Sequence, residues 1–532
     1  MPDPSWQLPY PSQRQPVMAA NMVATSQPLA AQAGLHILRS GGNAVDAAVA
    51  TAAVMAVVEP CSNGLGADNF ALVWHKGKLH GLNASGRAPR AMTIDHFGGK
   101  TQMPARGWDA VTVPGVVSGW VALSKKFGKL PFAKLLEPAI HYASDGFPVA
   151  PLTSGLWAKS EALFGDNPTF AKLFLPNGRA PLPGHRFVNT ALARSLHRVA
   201  DSTGEDYYHG EIARQFVDHA KATGGLFTLE DLANHRADWV DPIFVDYHGT
   251  RLYEIPPNGQ GLAALLALAI LEHRDIRHLE PDCPDVVHLG IESMKLAFAD
   301  AHQHIADPAY MRIKVEQLLD PAYTQKRAAL IDPEHAGDPN FGTPKPGGTI
   351  LLTAADADGT MVTLIQSNYQ GFGSGIVIPN TGIHLQNRGA CFVLTPDHCN
   401  QIAGGKRPYH TIIPAFLTRK IDTGEEPVMA FGVMGGFMQP QGHLQVASRF
   451  IDFAQNPQAA LDAPRWQVTK NKKVLIEPGF APSVYDELTR RGHELTHEPR
   501  TINFGSGQAI LRLKDCYAAA SDCRHDGHAV GF

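Results

Sequence analysis

The chain has only six cysteines in 532 residues, Cys61, Cys283, Cys391, Cys399, Cys516 and Cys523, and no two of them form a CxxC pair. Thiols so scattered are expected to be reduced, and they frame neither a disulfide scaffold nor a zinc site. There is no GxSxG elbow and no GxxxxGK[ST] loop. These absences set aside serine-hydrolase and P-loop chemistry, and no metal or cofactor is expected. Basic blocks are missing as well: 46 Lys and Arg against 50 Asp and Glu leave a formal charge of -4. Such a balance argues against partners such as nucleic acid or a membrane surface. The longest apolar stretch, Val45 to Val58, is Ala-rich and contains Asp46, which makes it too short to span a bilayer and suited to a buried helix. Met1 to Gln15 offers prolines and polar groups where a signal peptide needs a basic start and an apolar run, so a cytoplasmic location is expected.

The chain does carry enough apolar residues for a large core, 44% hydrophobic with 8% aromatic and 18% charged, the composition of an ordinary soluble protein. Helical spacing covers Ser26 to Leu38 and Gly42 to Val58, with Gly41-Gly42 as stop and restart, and a further helix follows Pro114-Gly115 over Val116 to Phe127. Phe70 to Trp74 and Gly81 to Asn83 are expected strands, and strands alternate with helices to about Asp300. Pro and Gly then crowd Asp332 to Gly348, predicting an exposed loop. A β-rich texture begins at Thr349: Thr349 to Ala354 and Met361 to Ser367 flank Asp356-Ala357-Asp358-Gly359, a hairpin signal. Further strands are expected at Ile376 to Ile378, Thr411 to Arg419, Val428 to Val433 and Ala509 to Lys514, with a helix at Gln441 to Phe453. The fold class is mixed α and β, with a break in character at Thr349.

The junction Pro346-Gly347-Gly348-Thr349 has the form of a self-cleaving site. A Thr hydroxyl is a weak nucleophile until a base takes its proton, and a free α-amine on the same residue supplies one once the preceding peptide bond is cut. Such an amine titrates near pKa 7.7 to 8.0, suited to both accepting and donating the proton. Gly348 has no side chain to obstruct attack on its carbonyl.

The chain resembles the γ-glutamyltranspeptidase family of N-terminal nucleophile hydrolases. The resemblance is carried by Gly41-Gly42-Asn43-Ala44-Val45-Asp46-Ala47-Ala48, Val113-Pro114-Gly115, Leu136-Glu137-Pro138-Ala139-Ile140 and Met294-Lys295-Leu296-Ala297-Phe298-Ala299-Asp300. Beyond Thr349 it continues through Phe372-Gly373-Ser374-Gly375, Lys406-Arg407-Pro408, Gly435-Gly436 and Asp526-Gly527. It implies a four-layer αββα sandwich and autocleavage between Gly348 and Thr349. The products are a large chain, 1–348, and a small chain, 349–532, which stay intertwined as one unit and form a dimer of such units. By the same resemblance Thr349 is the nucleophile, Ser367 the hydroxyl that hydrogen-bonds it, and Gly435 and Gly436 the oxyanion donors.

Four specificity positions depart from the family pattern. Ser85, in Ser85-Gly86-Arg87-Ala88-Pro89, stands where the family has the Arg that binds a substrate carboxylate. Cys391 stands for the Asp that grips the α-amine, His410-Thr411 for paired serines, and Tyr369 for a substrate-binding Asn. These changes resemble the branch containing oxamate amidohydrolases and cephalosporin (glutaryl) acylases. They imply a small-molecule amide substrate with water or an amine as acceptor, hydrolysis favoured over transfer, and Arg87, Arg388 or Arg407 as the cation for a carboxylate. The alternative from another class is an unprocessed homologue that binds without turnover.

Overall fold

The computed structural model describes residues 13–339 and 348–532. Two seven-stranded antiparallel sheets lie face to face. One runs in the order His528–Gly531, Met22–Thr25, Gly348–Ala355, Met361–Tyr369, Asp68–His75, Lys78–Asn83 and Asp238–Val240. The other runs Val17–Ala19, Tyr517–Ser521, Ser506–Arg512, Gly424–Met434, Ala415–Ile421, Thr250–Glu254 and Ile243–Tyr247. Phe70, Leu351, Ile365, Phe416 and Ile510 fill the space between them, and each such fully buried side chain stabilises the sandwich by about 1.5–3 kcal/mol.

Helices cover both outer faces. Pro28–Arg39, Ala44–Val58, Val116–Phe127 and Phe132–Asp145 share a core with the first sheet; Gly261–Glu272, Pro284–His304 and Met438–Ile451 share one with the second. The layers are therefore α, β, β, α, as the family resemblance implied. Each sheet mixes strands from before and after residue 348, so neither stretch holds a complete sheet of its own.

The helix Ala44–Val58 is buried on every face, and its run of Ala and Val is what lets it lie flat beneath the central strands. Asn43 opens it with a capping box, accepting from Val45 and Asp46 N–H while Asp46 accepts from Asn43 N–H, an arrangement that satisfies the otherwise orphaned first-turn donors. Ala44 N–H also donates to Asp356 Oδ2 at 2.8 Å, tying the helix to the hairpin turn. Past its C-terminus the chain delivers Cys61 and Ser62, whose carbonyls accept from Phe372 N–H and Asn368 N–H.

Several elements differ from the sequence expectations. Thr411 to Pro414 is not strand, because its carbonyls and side chains are engaged elsewhere; the strand begins at Ala415. Gly348 belongs to the strand Gly348–Ala355 rather than to the preceding loop, since pairing with Tyr369 holds it there. Tyr517–Ser521 and His528–Gly531 are strands that short length and small residues concealed. Of the expected loop at 332–348, residues 340–347 lie outside the described residues, as do Pro346 and Gly347 of the junction. Among the described residues no helix is long and apolar enough to cross a membrane.

Candidate active site

The strands Gly348–Ala355 and Met361–Tyr369 are neighbours at the centre of the first sheet, and their register shifts between Gly348 and Ile350. A shift of this kind re-aims side chains. Here it brings Thr349 and Ser367, both fully buried, to an Oγ1–Oγ distance of 3.1 Å. Ser367 Oγ donates to the carbonyl of Gly348 at 2.6 Å and accepts from Tyr369 N–H at 2.8 Å. Its single proton is thus directed at the Gly348 carbonyl, and its lone pairs face Tyr369 N–H and the Thr349 hydroxyl. Tyr369 holds φ at +74°, a left-handed conformation that is strained for a bulky residue and that turns its N–H toward Ser367.

Gly435 and Gly436 end the strand Gly424–Met434 of the second sheet and lead into the helix Met438–Ile451. Their φ values are +129° and +63°, and a Cβ on Gly435 would lie 3.1 Å from Gly505 Cα. Among the described residues neither N–H is taken by another group, which leaves both free to hold an oxyanion. Gln260 was not singled out in the sequence; its Nε2 donates to the carbonyls of Gly436 at 2.8 Å and Thr411 at 2.6 Å, fixing the glycine turn. Gly435 and Gly348 line one cleft of about 420 Å³, together with Cys61, Ser62 and Phe372. Burial, with Glu59 nearby, pushes the Cys61 thiol far up, so this cysteine at the cleft floor is not a nucleophile at neutral pH.

Asp68 was also missed in the sequence. It is the cross-strand partner of Ser367, and its carboxylate accepts from Gly86 N–H, Gly115 N–H and, at 3.0 Å, His410 Nε2. Ile412 N–H donates to His410 Nδ1 at 3.3 Å, which fixes the neutral Nε2–H tautomer. Burial, reinforced by Arg388 and Arg407, holds His410 well below its ordinary value. Burial lifts Asp68 to about 7, against the pull of Arg388, of its two backbone donors and of Arg407. The signal that could have exposed Asp68 is a carboxylate inside an apolar strand.

The remaining candidates divide. Tyr369, Arg388, Cys391, His410 and Thr411 gather beside Ser367: Arg388 lies over the Tyr369 ring at 4.5 Å and donates to Thr411 Oγ1 at 2.6 Å, with Cys391 Sγ at 3.8 Å. Arg388 is fully buried, and its Nε and Nη2 have no hydrogen-bond partner among the described residues. Arg407 is committed to Asp238 at 2.7 Å and to the Ser85 carbonyl. Ser85 itself is buried and bonded to Asn83 and Asn258. Arg87 opens into another cavity, shared with His235 and Asp238. Away from this site His288, Glu292 and His493 bring ligand atoms within 4.8 Å of one another. Lys295 already occupies Glu292 at 2.5 Å and donates to the Gly337 carbonyl, so the cluster grips the segment upstream of the Gly348–Thr349 junction.

A four-layer αββα sandwich with a buried hydroxyl pair at the head of a central strand is the architecture of N-terminal nucleophile hydrolases. The chain belongs to the gamma-glutamyltranspeptidase family, whose sequence profile matches residues 30–532. It is 37% identical to the glutathione hydrolase-like YwrD proenzyme of Bacillus subtilis, over 96% of this chain and 98% of that one. It is 36% identical to the oxamate amidohydrolase proenzyme of Klebsiella pneumoniae, over 97% and 99%. The crystal structure of a cephalosporin acylase from Bacillus halodurans superposes with a TM-score of 0.95 at 48% identity, covering 100% of this chain and 99% of that one. The protein is accordingly an enzyme of the amidohydrolase and acyltransferase type found in this family.

Proposed function

We propose that Thr349 is the nucleophile of a self-processing amidohydrolase that acts on compact, carboxylate-bearing acyl amides. The observation that carries this reading is the Ser367 hydroxyl joining Thr349 Oγ1 to the Gly348 carbonyl. In the intact chain the nitrogen of Thr349 is a peptide nitrogen, so the first reaction is on the chain itself. Thr349 Oγ attacks the Gly348 carbonyl carbon, the C–N bond breaks to leave an ester and a free α-amine, and water hydrolyses the ester to a Gly348 carboxylate. The freed amine then serves as base for Thr349. In turnover Thr349 Oγ attacks the substrate amide, Gly435 and Gly436 N–H hold the oxyanion, and the α-amine passes the hydroxyl proton to the departing amine. Water attacks the acyl-enzyme and releases the acid, with hydrolysis favoured over transfer to an amine.

Arg388 is the cation for the acyl carboxylate. A buried guanidinium with two unpartnered donors costs free energy that a carboxylate acceptor offsets, whereas Arg407 is already paired. Residues 1–348 and 349–532 are the expected chains on a denaturing gel, and N-terminal sequencing of the smaller must read TILLTAADAD. Thr349→Ala stays whole. A different start, or cleavage of Thr349→Ala at the same rate, removes Thr349 from its role. A charge-neutral Arg388→Met should lower kcat/KM on oxamate or glutaryl amides by at least tenfold; equal values in the two proteins would exclude Arg388 as the anchor.

A further inference from the structure

The two sides of the Thr349–Ser367 pair are unlike. On one side Tyr369, Arg388, His410 and Thr411 are buried and bonded to one another or to Asp68. On the other, the cleft of about 420 Å³ runs from Gly348 and Gly435 to the surface, within the size of small-molecule sites. Its apolar lining comes from two separate parts of the chain. Leu156 and Leu163 belong to the helix Pro151–Phe164, while Leu475 and Ile502 come from beyond Thr349. Leu163 is 54% exposed and Leu475 partly so, a patch of apolar surface beside reacting atoms that nothing in the fold covers among the described residues. Lys159 lines the same cleft and makes no ion pair among the described residues, so the apolar wall is open to solvent along a charged edge.

We infer that this cleft binds the amine half of the substrate and selects for an apolar, branched or cyclic primary amine. The inference rests on the amidohydrolase reading above: with the acyl carboxylate on Arg388 and the carbonyl at Gly435, the leaving amine points to the opposite side, where this cleft opens. Specificity is then divided. The closed side limits the acid to a small one, and the open side gains affinity with each apolar group it removes from water.

The test uses the processed enzyme and two series of amides. In the first, one oxalyl acyl group is joined to methylamine, isobutylamine and cyclohexylmethylamine, alkyl amines of like basicity, so that the leaving-group chemistry stays constant. In the second, methylamine is joined to oxalyl, malonyl and glutaryl groups. The expected result is a rise in kcat/KM along the amine series of about fourfold per buried methylene. Leu163→Asn and Leu475→Asn should flatten that rise while leaving the methylamide and the whole acyl series unchanged. A flat amine series in the parent, or variants that alter the acyl series instead, would overturn the inference while leaving the amidohydrolase intact. No hydrolysis of any member would sink the amidohydrolase reading and this inference with it.

Discussion

Removal of the Ser367 hydroxyl tests the geometry at its centre. In Ser367→Ala three groups lose a partner at once: the Thr349 hydroxyl at 3.1 Å, the Gly348 carbonyl at 2.6 Å and the Tyr369 N–H at 2.8 Å. The Tyr369 N–H is buried, and an orphaned buried donor costs about 1–3 kcal/mol of stability. Loss of the donor that polarises the Gly348 carbonyl is comparable to the loss of one oxyanion-hole donor, about 10²- to 10³-fold in rate. The assay is a time course of precursor loss on denaturing gels, begun from freshly folded, uncleaved protein, with circular dichroism to show that the variant is folded. Ser367→Thr keeps an Oγ at the same place and should process far faster than the Ala variant. If folded Ser367→Ala is cleaved at the parental rate, the hydroxyl does not activate the Gly348 carbonyl and the assignment of Ser367 fails.

The other expectations follow from neighbouring contacts. Gly435→Val places a Cβ 3.1 Å from Gly505 Cα at φ +129°, and turnover should fall about 10²- to 10³-fold even in molecules that have processed; unchanged kcat would reduce this residue to a turn. Gln260→Leu cuts the donors to Gly436 and Thr411 and should lower kcat with little change in KM, as steady-state kinetics would reveal. Burial holds His384 down at about 4 against its bonds to Pro60 and Asn63, so the unfolded chain takes up a proton first as the pH falls. Stability should drop by about 3 kcal/mol between pH 6.5 and 4 on this account. In urea titrations across that range His384→Gln should lose less than the parent; equal losses would discount His384. Cys61, with its thiol pushed up by burial, should resist iodoacetamide at pH 7.5, with mass spectrometry of the labelled protein as the check.

Much of the scaffold was legible because local chemistry agrees with the fold. The capping box at Asn43, the turn Asp356 to Gly359 and the strand Met361–Tyr369 each follow from residue types within a few positions of one another. Where the sequence misled, a distant partner was responsible. Thr411 to Pro414 has strand-like composition, yet Arg388 and Gln260 engage Thr411 and Gln439 accepts from Ile413 N–H. The closing strands Tyr517–Ser521 and His528–Gly531 are short runs of small residues whose pairing with Ser506–Arg512 and Met22–Thr25 no local pattern announces.

The candidate site divides along the same line. Thr349, Ser367, Gly435 and Gly436 were accessible from one dimension, since a Gly-Thr junction, a hydroxyl on the paired strand and a glycine pair before a helix are local patterns that the family resemblance then ordered. Which of three arginines remains available to a substrate was decided only in three dimensions. Arg388 and Arg407 are alike as letters, and the difference between them is that Asp238, 169 positions away in the chain, reaches Arg407 while no carboxylate bonds Arg388 among the described residues. Asp68 and Gln260 became visible for the same reason: a carboxylate acquires its position beside Ser367 from strand register, and an amide its hold on Gly436 from a contact across 176 residues. Residue pattern alone reached the mixed α and β class, because hydrophobic period, caps and turns act over a few residues, while the αββα order and the candidate reacting groups came from the family resemblance. Tertiary structure decided the charge and shape around those groups, because pairing, desolvation and cleft walls depend on chain segments that meet only when the two sheets close on each other.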